Sequence, residues 1–370
     1  MMITANNGFI EQSERYAFDN AGESLKKYIL LQKGELAYNH GASKLRPFGS
    51  CFALTTAESA RIPFVYHCFS AENQNAEFLS IELNGSEVES QLRKIVSSGA
   101  RMDGLLNISF DEYSTVTVLL PDIKEQEHIA DFFRNLDHLI TLHQRKYDKL
   151  QVLKKAMLEK MFPKNGSSVP EIRFKGFTDA WEQRKLSEMC GTFEYGLNAA
   201  AKEFDGKNKY IRITDIDDAS REFLLSDLSS PDICLDGMSK YLLSSGDIVF
   251  ARTGASVGKT YIYRENDGIV YFAGFLIRAK VNQDNDAEFV FQSTLSPSYE
   301  KYIRITSQRS GQPGVNAQEY GEYDLFAPSK EEQQRIGHFL RGIDNLITLH
   351  QRELEKLQNI KKSMLEKMFV

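Results

Sequence analysis

A phosphate-binding loop is the first chemistry that the sequence suggests, because ARTGASVGKTYIY at residues 251–263 contains two glycines followed by Lys259 and Thr260. The signature of such loops places four residues between its glycines, so that successive backbone amides can surround a phosphate. Only three residues separate Gly254 from Gly258, and the residues after them alternate β-branched and aromatic side chains as a strand does. We therefore expect a strand, a turn and a second strand here rather than a nucleotide site.

The overall composition limits the classes of protein to which the chain can belong. Its 370 residues are enough for two or three domains, and 42% of them are hydrophobic, which allows buried cores. No apolar run approaches the roughly 20 residues of a membrane-spanning helix, and the first residues do not resemble a signal peptide. We expect a cytoplasmic protein with no membrane partner. Its formal charge of −6 requires that any contact with nucleic acid come from local basic patches.

The residues that commonly bind metals or form disulfides are too scattered here to predict either. Cys51, Cys68, Cys190 and Cys234 include no CxxC pair, so we expect reduced cysteines that serve in packing. The sequence also lacks the Asn- or Asp-Pro-Pro-aromatic run of an amino-methyltransferase. We therefore predict no metal, no cofactor and no catalytic residue in this chain.

An internal repeat dominates the sequence. Residues 121–162 return as residues 328–369, with identity at roughly 25 of about 42 positions. Each copy opens with a proline and a capping residue, Asp122 or Ser329, followed three positions later by a glutamate, which predicts a capping box at a helix start. We expect two long helices that pair antiparallel as a coiled coil. The apolar residues on which the first helix is predicted are Ile129, Phe132, Leu136, Leu139, Leu150, Leu153 and Met157.

A histidine interrupts the apolar stripe of each predicted helix, within the shared string LITLHQR. His143 and His350 stand at equivalent positions of the two copies. One interpretation is a metal site or a pH-sensitive contact, and the other is a polar layer that sets the pairing of the helices. The second interpretation is favoured, because polar residues at such positions commonly set register in coiled coils.

Two related blocks of strand-like sequence surround the first helix, which predicts an α+β fold. LLQKGELAYNHGAS at residues 30–43 resembles LLSSGDIVFARTGAS at residues 242–256. Strand patterns bounded by Gly and Asp recur through the second block. We predict a first block, a first long helix, a linker, a second block and a second long helix. Their ranges are 1–120, 121–162, 163–170, 171–328 and 329–370.

The order of these parts resembles the specificity subunit of type I restriction–modification systems. The features that carry the resemblance are the paired EQ…HQR…KMF repeats, the VPEIRFKGFTDAWEQRKLSE segment at residues 169–188 and the GDIVFARTGASVGK loop. The resemblance implies two target-recognition domains, each binding one half of a split sequence in double-stranded DNA. It also implies that the two helices separate these domains and bind methyltransferase subunits, which we expect to be two. Restriction subunits would join indirectly, and all catalysis would lie in the partners.

The resemblance places the DNA contacts on the loops of the two recognition domains. In the loop at 251–263, the side chains offer hydrogen-bond donors and the glycines permit close approach of the backbone. For any one of these residues, the alternative is that it only helps to form a structural turn and does not contact DNA. The candidate DNA-binding residues are Arg252, Thr253, Ser256, Lys259, Lys207, Lys209, Arg212, Arg309 and Gln312 in the second domain, and Asn39, His40, Ser43, Lys44 and Arg101 in the first.

The first block is shorter than the second, because it has no counterpart of residues 169–188 and of the stretch that follows. We expect either a truncated recognition domain or one with a shorter fold. A truncated domain would leave the edge of a sheet without its neighbouring strand. The alternative to DNA recognition is a non-catalytic assembly scaffold, in which the first domain no longer binds DNA but the helices still bind partners.

Overall fold

The computed structural model describes residues 1–5, 8–11, 13, 27–96, 105–164, 167–308 and 311–368. The chain divides into two compact units. The first consists of residues 1–143 and 353–370, and the second of residues 144–352. Each unit therefore combines one globular block with a part of both long helices, and each is described separately.

Short strands and helices build the globular part of the first unit. In this unit, β4 pairs antiparallel with both β5 and β7, while β1 pairs with β2 and β3 with β6. The bounds of these elements are β1 Met2–Thr4, β2 Gly8–Ile10, β3 Ile29–Gln32, β4 Leu36–Asn39, β5 Ser50–Ala53, β6 Ser59–Ile62, β7 His67–Phe69, α1 Ala76–Glu82, α2 Ser86–Ile95 and α3 Phe110–Tyr113.

The second unit is larger and contains a four-stranded antiparallel sheet in the order β14-β13-β16-β9. Smaller pairs join β10 to β12, β11 to β15 and β17 to β8. The bounds are β8 Glu182–Lys185, α5 Leu186–Met189, β9 Cys190–Tyr195, β10 Ala201–Glu203, β11 Lys209–Ile211, β12 Ser229–Pro231, β13 Asp247–Ala251, β14 Thr260–Ile262, β15 Val270–Phe272, β16 Leu276–Val281, α6 Ala287–Ser293, α7 Pro297–Thr306, α8 Ala317–Gly321 and β17 Asp324–Ala327. The predicted α+β fold is confirmed.

The two repeats form the expected long helices, α4 (Ile123–Lys160) and α9 (Lys330–Met368). At the start of α4, the Asp122 carboxylate accepts hydrogen bonds from the amides of Lys124 and Glu125 at 2.9 and 3.0 Å. The corresponding glutamate of α9, Glu332, instead bonds the guanidinium of Arg173. The predicted capping box is therefore replaced there by an ion pair.

Each globular block is covered by parts of both helices. In the first unit, Ile129 and Phe133 of α4 are buried, and Leu365 of α9 packs against the same core. In the second unit, Leu158 of α4 and Ile336 of α9 are buried in one core. The helices thus contribute directly to the two cores. For this reason several residues of the predicted coiled-coil stripe, including Phe132, Leu139 and Leu153, remain exposed.

One equivalent ion pair in each unit connects the two helices. In the first unit, Lys361 Nζ lies 2.5 Å from Asp137 Oδ1. In the second unit, Lys154 contacts Asp344. The two pairs occupy the same positions of the repeat. Asp137 precedes Lys154 in α4, whereas its partner Lys361 follows Asp344 in α9. The two helices are therefore antiparallel.

Candidate nucleic-acid interface

The segment that first suggested a phosphate-binding loop is a hairpin. β13 and β14 pair antiparallel, with Phe250 opposite Thr260, and a single 3₁₀ turn at Gly254–Ser256 connects them. Two backbone hydrogen bonds close the hairpin: Gly258 donates to the Ala251 carbonyl at 2.9 Å, and Ala251 donates to the Lys259 carbonyl at 2.8 Å. The prediction of strand, turn and strand is confirmed.

Gly258 is required by the packing of this hairpin. Its φ angle is +83°, and a Cβ atom there would lie 2.5 Å from Cγ2 of Ile303. Its amide also lies 3.1 Å from the Tyr320 hydroxyl. Gly258 thus allows the hairpin to lie against α7 and α8, so its presence in the sequence has a structural cause.

A cationic and aromatic cluster lies at the start of the hairpin loop. The guanidinium of Arg252 lies 5.2 Å from the centre of the Tyr195 ring and 5.8 Å from that of Phe275. Both rings are solvent-exposed, Tyr195 by 45% and Phe275 by 56%. These distances are within the range of cation–π attraction. Among the described residues, the buried Arg252 Nε atom has no hydrogen-bond partner, and the guanidinium contacts these two rings.

A second loop extends the cluster. Thr253 forms an isolated β-bridge with Gly314, and the Gly254 amide donates to the Pro313 carbonyl at 3.0 Å. The exposed side chain of Gln312 is close to Gly254, because a Cβ atom built on this glycine would lie 3.1 Å from Gln312 Nε2. We name this set, formed by Tyr195, Arg252, Thr253, Phe275 and Gln312, the Arg252 surface.

Three other predicted cations of the second unit are engaged by oxygen atoms of their own unit. Lys259 forms an ion pair with Asp218, and its side chain is only 15% exposed. Lys209 Nζ donates to the Asp267 carbonyl at 2.7 Å. The Arg212 guanidinium bonds both carboxylate oxygens of Asp215 at 2.8 Å, and this contact raises the pKa of Arg212.

The remaining predicted residues of the second unit are polar and accessible to different degrees. Lys207 is exposed, and its backbone amide bonds Asp205 at 2.8 Å. Ser256 is half-buried at the end of the 3₁₀ turn, where its carbonyl accepts from the Lys259 amide at 3.0 Å. Arg309 lies outside the described residues.

In the first unit, the position equivalent to Arg252 is occupied by a buried histidine. His40 is 8% exposed. Its ring nitrogens lie 2.9 Å from the Leu106 carbonyl and 2.8 Å from the Val65 carbonyl. Asn39 is also used internally, because its side chain donates to the Ile3 carbonyl at 3.2 Å and accepts from the Gly41 amide at 3.0 Å. Neither side chain is available as the sequence led us to expect.

The other predicted residues of the first unit follow the end of β4 in the sequence. Ser43 and Lys44 are both exposed, and the Ser43 hydroxyl accepts from the Arg46 amide at 3.0 Å. Arg101 lies outside the described residues. Within the described part of the first unit, Lys44 is therefore the predicted cation that is accessible for a DNA contact.

Sequence reasoning did not identify Tyr195 or Phe275. Tyr195 ends β9, and Phe275 precedes β16, so the two are far apart in sequence. Their exposure appears only in the structure, where Phe275 lies between the buried strands β15 and β16. The described residues contain no group of acidic, histidine or cysteine side chains that could hold a metal ion. Nor do they include a helix that is long and apolar enough to span a membrane.

Comparisons with known proteins agree with this architecture. The family model of the type I restriction modification DNA specificity domain matches residues 178–359. The type I restriction enzyme MjaVIII specificity subunit of Methanocaldococcus jannaschii is 24% identical over 299 residues, which are 78% of this chain and 67% of that protein.

Two solved structures are also similar. The type I restriction–modification S subunit from M. genitalium has a TM-score of 0.54 at 15% identity, covering 93% of this chain and 85% of that one. The HsdS subunit from Thermoanaerobacter tengcongensis has a TM-score of 0.43 at 16% identity, covering 92% and 81%. The similarity to the M. genitalium S subunit supports the fold described above. Residues 178–359 therefore match the DNA specificity domain of type I restriction–modification systems, and the fold of the chain is similar to that of an S subunit from such a system.

Proposed function

We propose that this specificity subunit binds a split DNA target, with one half contacted by each globular block, and that the Arg252 surface contacts DNA in the second block. The observation that carries the proposal is the Arg252 guanidinium beside two exposed aromatic rings, at the mouth of a hairpin loop. In the part of the chain that the structure describes, Arg252 contacts rings and pairs with no carboxylate, so its charge is not compensated there. It can therefore bind an anion without first breaking an ion pair.

The chemistry of the Arg252 surface suits a DNA duplex. A guanidinium can bond a phosphate, or bond guanine through two acceptors in the major groove. An amide such as that of Gln312 can bond adenine in the same groove, and a threonine hydroxyl can bond phosphate or base edges. An exposed ring such as Phe275 offers apolar contact to a thymine methyl group. One surface thus combines positioning contacts with base recognition.

The other predicted residues have smaller roles in this proposal. Lys207 and Lys44 are exposed and suit phosphate contacts, as does the Ser43 hydroxyl. Lys259, Lys209 and Arg212 must exchange an internal partner for a phosphate, which lowers the gain from each contact. We do not include Asn39 and His40, because their polar atoms bond within the first unit. Ser256, Arg101 and Arg309 stay predictions.

We further propose that the long helices bind two methyltransferase subunits, through which restriction subunits join, and that methylation and cleavage reside in those partners. Exposed apolar residues on both helices support a protein partner. On α4 of the second unit, Val152 is 71% exposed and Leu153 is 40% exposed, and on α9 of that unit Leu349 is 52% exposed. Contiguous exposed apolar side chains commonly mark a protein interface, and Val152 and Leu153 are neighbours on α4. This function places the complex with the DNA in the cytoplasm.

The host methylome provides the test. We expect deletion of the gene to abolish methylation at one motif, composed of two short half-sites separated by an unspecified gap. Replacement of both Arg252 and Gln312 by alanine should weaken or relax recognition of one half-site only. Loss of a contiguous motif, or no loss of methylation, would contradict the proposal. Relaxed recognition of the other half-site in the unmodified host would instead support a scaffold role for the first block, an alternative that the comparisons do not favour.

A further inference from the structure

An acidic turn of the second unit contacts a cation at the hairpin loop. Ile216 forms an isolated antiparallel β-bridge with Phe223, and the Asp217 amide donates to the Glu222 carbonyl at 2.9 Å. These contacts make residues 216–223 a tight turn, which we name the Asp218 turn. The carboxylate of Asp218 contacts the ammonium of Lys259, which is distant in sequence.

The Asp218 carboxylate is open to solvent, whereas its cations are largely covered. The Asp218 side chain is 83% exposed, and that of Lys259 is 15% exposed. Arg221 is a second cation near this carboxylate: burial lowers the pKa of Arg221, and the Asp218 charge opposes that shift. A carboxylate has about four acceptor positions, more than these contacts use. Asp218 is thus neutralised from within the protein and can accept a hydrogen bond from outside.

Hydrogen bonds hold the Asp218 turn in place. The Asp217 carboxylate accepts from the Ser220 amide at 2.7 Å and from the Ser220 hydroxyl at 2.8 Å. At the other end of the turn, the Thr348 hydroxyl of α9 donates to the Glu222 carboxylate at 3.1 Å. A recognition side chain must be held in one geometry by its surroundings, and this turn meets that requirement.

The Asp218 turn lies at the same end of the sheet as the Arg252 surface. Arg252 and Lys259 are the first and last residues of the loop that joins β13 to β14. The Ala251 amide donates to the Lys259 carbonyl at 2.8 Å and closes this loop. A DNA duplex in contact with Arg252 therefore passes close to Asp218.

An exposed carboxylate in a DNA interface has one strongly favoured partner. Phosphates repel it, and so do the acceptor atoms that guanine and thymine present in the major groove. Adenine presents an acceptor, N7, beside its amino group, whereas cytosine presents only the N4 amino donor. A neutralising lysine lowers the cost of bringing the carboxylate close to phosphates. The pair of Asp218 and Lys259 therefore suits the recognition of cytosine.

We propose that Asp218 recognises a cytosine in the half-site contacted by the second block, by accepting a hydrogen bond from the N4 amino group in the major groove. Lys259 keeps its contact with Asp218 in the complex and acts as a positioning residue, which neutralises and orients the carboxylate. This inference rests on the proposed function, because it requires that the Arg252 surface contacts DNA. It adds an acidic residue to those that determine the target sequence.

The methylation motif of a host that carries a variant subunit tests the role of Asp218. We expect Asp218→Ala to relax the requirement for one C·G pair, so that sites lacking this pair are methylated about tenfold more often. The relaxed pair should belong to the half-site that Arg252 and Gln312 affect. Asp236→Ala, the matched control, removes another exposed carboxylate of the same unit and should leave the motif unchanged.

DNA binding by the assembled complex separates base recognition from charge. Two duplexes that differ only in this C·G pair give an affinity ratio, which decides the outcome even where methylation is lost altogether. Lys259→Met leaves the Asp218 charge without this cation and should weaken binding of both duplexes about threefold, with the ratio kept. Adding Asp218→Ala should restore the affinity for the duplex without the C·G pair and lower the ratio. An ion pair with a merely structural role would not change the ratio.

Three results would overturn the role of Asp218, in a variant whose folding is verified by urea unfolding and Trp181 fluorescence. The first is an unchanged ratio with Asp218→Ala, and the second is relaxation in the other half-site. The third is an equal gain of affinity for both duplexes, which would make Asp218 a competitor of phosphate for Lys259. If the unmodified subunit directs no split motif, the proposed function itself fails. If the Arg252 and Gln312 variant relaxes one half-site but Asp218→Ala changes nothing, only the role of Asp218 fails.

Discussion

The Lys154 ammonium of α4 contacts the Asp344 carboxylate of α9, with only 12% of the lysine side chain and 21% of the aspartate side chain exposed. The amide of Gln292 bonds the other oxygen of this carboxylate at 2.8 Å. Burial lowers the pKa of Lys154, an effect that the nearby carboxylate partly offsets. The contact therefore joins both helices to α6 in the core of the second unit.

Because Lys154 is buried, we expect its substitution to lower the free energy of unfolding more than substitution of Lys361, the equivalent lysine of α9. Lys154→Met keeps the apolar stem but leaves the Asp344 charge without its cation, which should cost about 3 kcal/mol of the free energy of unfolding. Lys361→Met removes the equivalent cation from a pair whose members are 34% and 52% exposed, and should cost under about 1 kcal/mol.

Trp181 fluorescence measures the first of these changes during urea unfolding, because this is the single tryptophan of the chain and lies in the same core as Leu158. Lys361→Met changes the first unit, so the protease resistance of residues 29–96 in urea measures its smaller effect. Equal losses of stability, each measured in its own unit, would contradict the role given to burial.

The two glycines of the hairpin predict different costs on substitution. Gly258→Ala places a Cβ atom 2.5 Å from Ile303 Cγ2 at a φ of +83°, whereas at Gly254 the nearest atom is the flexible end of Gln312. We expect Gly258→Ala to cost about 2–4 kcal/mol through strain and overpacking, and Gly254→Ala about 1 kcal/mol. Urea unfolding monitored by Trp181 fluorescence compares the two. A milder effect at Gly258 would show that α7 moves to accommodate the methyl group.

The Arg252 surface predicts a graded loss of DNA affinity. In the assembled complex, Arg252→Ala should weaken binding about tenfold and reduce the salt dependence by about one unit of slope if a phosphate contact is lost. Lys259→Ala should have a smaller effect, because Asp218 already neutralises that lysine. Lys155→Ala, on the exposed side of α4, is the control. Titrations at several salt concentrations give both quantities, and unchanged affinity in a folded Arg252→Ala protein would leave the loop a plain turn.

His67 predicts that the first unit loses stability in acid. Burial, together with the neighbouring His40 ring at 5.0 Å, lowers the pKa of His67, while the Ile108 carbonyl at 3.2 Å acts in the opposite direction. The unfolded chain therefore binds the proton more readily, since the pKa of a free histidine is about 6.5. The stabilisation is present above that pH and is lost as pH falls toward the lower pKa of the folded state.

His67→Gln keeps a side-chain N–H for the Ile108 carbonyl and removes the titration. It should therefore reduce the pH dependence of the first unit. Protease resistance of residues 29–96 in urea, compared at about pH 5.5 and about pH 7.5, measures this dependence. The same loss of resistance in acid with and without His67 would assign it to other groups.

The long helices and the hairpin were predictable from sequence because their signals are local. Repeated capping residues and three-and-four spacing predict α4 and α9, and glycines between β-branched segments predict the β13–β14 turn. The DNA-binding candidates were harder to predict, because residue type does not reveal a long-range partner. Arg252 and Lys259 are close in sequence, yet one faces aromatic rings and the other pairs with Asp218.

By itself, therefore, the sequence determined the duplicated architecture, the helices and the hairpin, since each depends on residues a few positions apart. Only the tertiary structure decided which polar groups are available. It buries His40 at the position that corresponds to Arg252, and it covers Glu332 with Arg173 while its equivalent Glu125 stays exposed. The physical reason is that burial and pairing depend on segments distant in sequence, so equivalent residues of a repeat acquire different surroundings when one copy has a neighbouring segment that the other lacks.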